Sequence, residues 1–412
     1  MSKKLVSDIN VRSKRVLVRL DLNAPLNDQG EITDDRRIVQ ALPTVRRLLD
    51  GGGRLILLSH LGRPKGDDPL KDKKYTLAPV AKRLSELLDR KVQLAPNCVG
   101  PEVEKIVAGL RDGEVCLLEN LRFHKAETIE DKKAKDDPVL RRAKDDFARQ
   151  IAALGEVYVN DAFGTCHRDN ASMLTVSRMM KGKPRAIGFL IKKELQFLGD
   201  AVTHPKRPFV AILGGAKVSD KIKVIEALAA KCDKVLIGGA MSYTFFAAAG
   251  MATGKSLVEP DRLEDAKRLR TLAGDKLVLP TDSVCAAEIA SGVKTQVCEG
   301  PIPGDLMGLD IGPKTVAAYQ EVLRTAKTVV WNGPMGVFET QPFDAGTLAI
   351  ARTLADATAK GAVTVIGGGD SAAAVEAAGL AEKVTHVSTG GGASLEYLEG
   401  KPFKALDEID EA

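Results

Sequence analysis

At 412 residues the chain is long enough for two domains, and 44% apolar with 28% charged residues is a globular composition, which excludes extended disorder. A formal charge of +5 is mild for this length; with no basic–aromatic platform in the sequence, it excludes a nucleic-acid partner and suits an anionic small molecule. Cys98, Cys116, Cys166, Cys232, Cys285 and Cys298 are scattered without CxxC spacing. With no apolar leader core and no run of membrane-spanning length, they predict a cytoplasmic protein with reduced thiols and no membrane contact.

In chain order, 15–20 (RVLVRL) reads as a strand that runs into Asp21 and Asn23. Thr33-Asp34-Asp35 supplies the cap of a helix whose Ile38, Leu42, Val45, Leu48 and Leu49 recur at helical spacing. Arg36 and Arg37 fall in its first turn, where the helix dipole disfavours cations, so one of them is expected to have another task. Strands are predicted over 54–58, 114–118 and 156–159. They end in Ser59-His60-Leu61-Gly62-Arg63, in Glu119-Asn120-Leu121-Arg122, and in Asn160-Asp161 leading to His167-Arg168. Helical patterns at 77–88 and 139–154 alternate with them, which predicts a parallel sheet. In such sheets ligands bind at the carboxyl ends of the strands. Singly, each arginine there is a surface residue and each histidine a structural one. Together they form a basic pocket for a small, multiply anionic ligand, with Asp21 and Asn23 available for hydroxyls. The tract 125–146 mixes both signs and reads as a solvated loop and helix face.

Gly182 to Pro184 and the Pro205/Pro208 pair bracket a helix predicted over 189–201, taken as the connection between domains. Beyond it, strands over 209–213, 234–237, 328–331, 362–366 and 385–387 all run into glycine: Gly214-Gly215, Gly238-Gly239, Gly333, Gly367-Gly368-Gly369 and Gly390-Gly391-Gly392. A single glycine turn of this kind is a packing device. Five in one domain predict a nucleotide site, because glycine lets backbone amides approach phosphate at a helix N-terminus. Lys217 and Lys221 lie one helical turn apart. Asp370 would repel a phosphate unless a cation sat between them, so a metal position is expected there; the helix is expected to open near Ser371 and stop at Gly379. Two near-motifs are set aside. Ala249 to Ser256 is one residue from a Walker A loop but follows a helical stretch instead of a strand, and the strand after Gly367-Gly368-Gly369 ends in Ser388-Thr389, with no acid to hold a dinucleotide ribose.

RLDLNAPL (19–26), SHLGRP (59–64), LLENLRFH (117–124), NDAFGTCHR (160–168), GGAKVSDKI (214–222), DIGPKT (310–315), VVWNGPMGVFE (329–339), IGGGDS (366–371) and STGGGASLEYLEG (388–400) together resemble the phosphoglycerate kinase family over essentially the whole chain. The resemblance implies an α/β protein of two Rossmann-like domains, each a mostly parallel sheet flanked by helices: 1–187 for phosphoglycerate, a hinge helix at 188–204, and 205–398 for nucleotide. The tail from about 399 to 412 is then expected to pack on the first domain. It implies that Asp21, Asn23, Arg37, His60, Arg63, Arg122, His167 and Arg168 line the 3-phosphoglycerate or 1,3-bisphosphoglycerate site. Gly214, Gly215, Lys217, Lys221, Gly239, Asn332, Glu339, Gly368, Gly369, Asp370 and Ser371 would hold ATP or ADP, Glu339 on the ribose and Asp370 toward Mg²⁺. The family is usually monomeric. Three features depart from its common pattern: Ser371 in place of threonine, Cys166-His167-Arg168-Asp169-Asn170, and a long charged tract around 126–145.

The implied reaction is phosphoryl transfer to a carboxylate, which is ionised at neutral pH and needs no general base. Catalysis then falls to positioning and charge stabilisation by Arg37, Lys221 and the amides near Ser371, with closure of the two domains around directly transferring ligands. A non-catalytic nucleotide- or sugar-phosphate-binding protein on the same scaffold is the alternative; binding alone would not require Arg37, Lys221 and Asp370 together.

Overall fold

The computed structural model of the chain describes residues 3–65 and 72–412. Its first sheet is built on Arg15–Leu20 (β1), Arg54–Leu58 (β2), Val92–Leu94 (β3), Val115–Leu117 (β4), Val157–Asp161 (β5) and Arg185–Ile187 (β6), in the order β3-β4-β2-β1-β5-β6. Every pairing is parallel. Strands of such a sheet are covered on both faces and so read as continuous apolar runs. Val16, Leu17, Val18 and Leu20 are fully buried, and so are Leu55 through Leu58. The helices Arg36–Asp50 and Ala78–Leu88 lay Ile38, Val45, Leu48, Val80 and Leu84 on this sheet in one core.

The second unit repeats the plan with Phe209–Leu213 (β7), Lys234–Ile237 (β8), Leu277–Val278 (β9), Thr328–Asn332 (β13), Val363–Gly367 (β14) and His386–Val387 (β15), in the order β15-β14-β13-β7-β8-β9, again all parallel. Between β9 and β13 the chain adds what the sequence did not announce. Asp282–Ala286 (β10), Gln296–Glu299 (β11) and Met307–Ile311 (β12) form a small antiparallel sheet in the order β11-β10-β12. Its outer strand β11 is largely exposed and carries no apolar run.

The two units are 3–194 with 402–412, and 195–401, among the described residues. The helix Phe189–Thr203 therefore begins in one and ends in the other. Within the first unit the C-terminal segment is held by charge: Asp410 binds Arg185 at 2.8 Å, Glu408 binds Arg178 at 2.7 Å, and Glu411 binds Lys3 at 2.6 Å. The tract expected to be solvated is only partly so. Glu127 and Lys144 are buried, Lys144 donating to Asp131 at 2.7 Å and to the Asp169 carbonyl at 2.6 Å. Charge alternation in sequence reports the exposed face of the helix Pro138–Leu154 and is silent about the one lysine that turns inward.

Asp161, at the end of β5, is fully buried and anchors the start of the helix Phe189–Thr203, accepting the Ile191 amide at 3.0 Å. Its Oδ2 has no hydrogen-bond partner among the described residues. Burial pushes this carboxyl up to about 7, against the opposing effect of the Thr44 hydroxyl and the Ile191 and Leu190 amides. The folded protein thus holds a proton that the unfolded chain releases near pH 4, so this group's contribution to stability falls as pH rises from about 4 to about 7. Asp161→Asn removes that slope. Denaturant titrations of both proteins at pH 5 and pH 8 should show the variant gaining on the parent at pH 8 by up to a few kcal/mol; equal differences at the two pH values would refute the buried-acid assignment.

Candidate functional site

In the first unit the strand ends carry the charges expected of them. Arg36, in the first turn of its helix, is neutralised next door by Asp34, to which its Nε donates at 2.8 Å. Arg37 turns the other way and donates from Nη1 to Asp21 Oδ2 at 2.6 Å. Burial would raise the Asp21 carboxyl, but the Arg37 and Arg19 charges and the Asn23 amide outweigh it and hold the group below its usual range. Asn23 accepts the Gly62 amide at 2.7 Å, fixing the end of β1 to the loop after β2. Arg122 donates to the Gly62 carbonyl at 2.5 Å from the other side. Its guanidinium is lowered to about 10 by burial and by repulsion from Arg168 and Arg19, so it remains charged at neutral pH.

Two hollows lie in this unit, and Asp21 and Arg122 line neither of them. One, of about 740 Å³, is lined by Asn23, Arg36, Arg37, Gly62, Lys74 and Tyr75. The other, of about 600 Å³, is lined by His167, Arg168, Asp169, Lys132 and, from the C-terminal segment, Pro402 and Lys404. Asp21 and His60 are buried, and Arg63 is exposed and lines neither hollow. Burial, and after it the neighbouring cations Arg19, Arg122 and Arg168, drives the His60 imidazole well below its usual value against the pull of Asp21. Lys74, Tyr75, Lys132 and Lys404 were not marked in the sequence, since nothing in a lone lysine tells a wall from a surface.

In the second unit the phosphate-loop grammar is realised at β14. Gly368 has φ +90°, a conformation that side chains resist, and the helix Gly369–Ala377 begins immediately after it, two residues ahead of the expected start. Ser371 Oγ donates to the Gly367 carbonyl at 2.5 Å and accepts the Gly333 amide at 3.1 Å, so its hydroxyl ties β14 to the loop after β13. Lys221 is buried and donates to Asn332 Oδ1. Burial lowers its ammonium to about 8, partly offset by Asp220 and Asp370.

A cavity of about 430 Å³ here is lined by Gly215, Gly239, Glu339 and Asp370, which the sequence marked, and by Leu257, Ile289, Met307, Leu309 and Val337, which it did not. Gly239, at φ +70°, lies so close to Gly215 that a Cβ would stand 2.6 Å from the Gly215 amide nitrogen. Lys217 is exposed, and neither it nor Gly214, Gly368 and Gly369 lines this cavity. The Walker-like stretch follows the helix Met241–Ala248 and is no phosphate loop, yet it supplies Lys255 to the same wall, and Leu257 just after it adds an apolar face. The apolar wall otherwise comes largely from β12 and from Ile289 of the β10–β11 connection. Among the described residues no group of three or more His, Cys, Asp or Glu side chains could hold a metal unaided. Asp370, exposed in the first turn of its helix, offers the single carboxylate that suits a Mg²⁺ otherwise held by phosphate oxygens. No helix is long and apolar enough to cross a membrane among the described residues.

Comparison with known proteins matches this arrangement at full length. The sequence profile of phosphoglycerate kinase covers residues 6–401. The chain is 53% identical over 415 residues to phosphoglycerate kinase of Rhodopirellula baltica and 54% identical over 414 residues to that of Chlorobium chlorochromatii, in each case spanning 100% of both proteins. Among solved structures, phosphoglycerate kinase from Coxiella burnetii superposes with a TM-score of 0.84 at 37% identity, covering 98% of both chains. The enzyme from Pyrococcus horikoshii gives 0.84 at 32% identity, covering 99% of this chain and 98% of that one. Two parallel six-stranded sheets, charged strand ends in the first unit, glycine strand ends in the second and an end-to-end match leave one reading: the chain belongs to the phosphoglycerate kinase family.

Proposed function

We propose that this chain catalyses the reversible transfer of a phosphoryl group between 1,3-bisphosphoglycerate and ADP, yielding 3-phosphoglycerate and ATP, as a cytoplasmic monomer. The observation that carries the reading is that one chain holds both a cation-rich hollow and a glycine-walled cavity with Lys221, Asn332 and Asp370 beside it, over a match that covers residues 6–401. A binding protein without catalysis would need the hollows but not Arg37, Lys221 and Asp370 together.

The first unit binds the phosphoglycerate. Arg63, Arg122 and Arg168, with His60 and His167, meet its anionic groups, Asp21 and Asn23 its hydroxyl, and Arg37 the group in transfer. In the second unit Gly214, Gly215, Gly239, Lys217 and the amides of Gly368, Gly369 and Ser371 hold the phosphates, Glu339 the ribose, and Asn332 keeps Lys221 in place. The apolar wall of Leu257, Met307, Leu309 and Val337 provides a face for the base. Mg²⁺ accompanying the nucleotide neutralises phosphate charge when bound, with Asp370 the residue that would hold it. The carboxylate nucleophile arrives ionised, so no side chain need remove a proton. What this chain supplies is cationic charge where negative charge builds, from Arg37 and Lys221.

Two measurements test these roles. Arg37→Ala should lower kcat for 3-phosphoglycerate and MgATP by about a hundredfold or more, the scale of losing one preorganised charge, with MgADP affinity nearly unchanged; near-normal turnover would remove Arg37 from the reaction. Lys221, lowered to about 8, loses its charge as pH rises from 7 to 9. Calorimetric titration with MgADP should therefore show about tenfold weaker binding at pH 9 than at pH 7, while Lys221→Arg stays flat over the window; a flat parent profile would mean that this ammonium does not meet the nucleotide.

A further inference from the structure

Arg19 stands in β1, the strand that ends in Asp21 and Asn23, and it is 1% exposed. A guanidinium has five N–H donors and no acceptor, and it keeps its charge, so burial obliges it to find oxygens or lone pairs. Its Nε donates to Ser172 Oγ at 2.9 Å, its Nη1 to the Leu20 carbonyl, and its Nη2 lies 3.4 Å from Nδ1 of His60. Ser172 passes the contact on. Its hydroxyl donates to Glu127 Oε1 at 2.6 Å and its amide to Oε2 at 2.9 Å. Glu127 is itself 1% exposed, and Asn170 donates to its carbonyl at 3.1 Å. Arg19, Ser172 and Glu127 thus connect the β1 strand, the loop after Arg122 and the segment after Arg168, and none of the three is among the ligand-facing residues assigned above.

The chain of donors has a chemical consequence at its far end. Because Nη2 only donates, the 3.4 Å contact is a hydrogen bond when Nδ1 of His60 accepts, and a neutral imidazole that accepts at Nδ1 carries its proton at Nε2. The charges facing His60 are Arg19, Arg122 and Arg168 on one side of the balance and Asp21 on the other, an excess of cations in a site where the ring is 4% exposed. We propose that the buried Glu127–Ser172–Arg19 chain is a positioning relay that fixes His60 as the neutral Nε2–H tautomer. The ring then meets an acidic ligand as a hydrogen-bond donor and serves neither as a base nor as a cation. Glu127 faces Arg19 through Ser172: burial raises its carboxyl, and the Arg19 charge and the two Ser172 bonds oppose that rise, while Ser172 transmits the orientation.

The inference deepens the reading of this pocket as a phosphoglycerate site, but its first readout uses the ligand-free full chain. With ¹⁵N-labelled histidine and His60→Gln as the assignment control, long-range ¹H–¹⁵N correlation should show His60 with a protonated Nε2 and a bare Nδ1, unchanged from pH 8 to pH 6. In Arg19→Met the bare Nδ1 should be lost and the ring should begin to titrate above pH 6. The KM for 3-phosphoglycerate should then fall severalfold between pH 8 and pH 6, with kcat changing less. Should Arg19→Met not fold, Arg19→Lys and Ser172→Ala are read the same way, since each breaks one link and keeps a cation in place. An Nδ1–H or doubly protonated His60 in the parent at pH 7, or a ring spectrum unaltered in the variants whatever happens to their activity, would overturn the relay. A correct ring signature in a parent protein that fails to transfer phosphate would leave the relay standing and fault the functional reading instead.

Discussion

The constraint on which both halves depend is that a parallel strand covered on two faces has no place for a polar side chain except at its ends. In β1, Val16 to Leu20 lie buried, and the first groups able to meet a ligand are Asp21 and Asn23 just beyond the carboxyl end. The same holds for β2 with His60, β5 with the segment leading to His167, β13 with Asn332 and β14 with Gly368. Because register is parallel throughout each sheet, all these ends emerge on one edge of it. The site is thus a by-product of sheet geometry that the chain then specialises, with cations in one unit and glycines in the other.

Arg19 is a charged exception, a guanidinium inside the strand, and its tolerance shows how the charges around it are balanced. Arg19, Arg122 and Arg168 stand close enough that Arg122 feels both of the others, and His60 feels all three. Of the three only Arg19 is fully buried, with Arg122 half-buried and Arg168 exposed, and a buried charge facing like charges costs stability unless opposed. Two carboxylates oppose them: Asp21, held ionised beside Arg37, and Glu127, reached through Ser172. The balance remains short of negative charge, which is the condition under which an incoming polyanion gains most from binding. A pocket neutralised by its own acids would bind less; one lacking Asp21 and Glu127 would be hard to fold.

What sequence reveals here follows the same physics. The strands 15–20, 54–58, 209–213 and 234–237 are readable to the residue because burial on both faces leaves an uninterrupted apolar run. β3, β6 and β9 have two or three residues each, too few for periodicity to act on, and β11 is largely exposed and carries no apolar run. The charged strand ends could be picked out because arginine and histidine clustered after apolar runs have no role in a core. By contrast, Leu257, Met307 and Leu309 are ordinary apolar residues whose exposure to a cavity depends on how β12 and the loop after Met241–Ala248 are placed. Glu127 and Lys144 were concealed for the opposite reason: their type predicts solvent, and only the partners that the fold brings to them allow burial.

Those two residues also join the charged tract to the residues that follow Arg168. Asp169 Oδ2 accepts the Asp131 amide at 2.7 Å, Lys144 donates to the Asp169 carbonyl and to Asp131, and Asn170 donates to the Glu127 carbonyl. The charged tract and the residues following Arg168 therefore form a single structure, with Arg141 and Arg178 closing around Asp131 from outside. The tract gives the Asp169 carboxylate a backbone hydrogen-bond donor, and Asn170, buried, gives the tract an anchor. Arg168 is left exposed at the rim of its hollow, while the two residues that follow it are tied to the tract, so the tract and this loop hold one another in place beside that hollow.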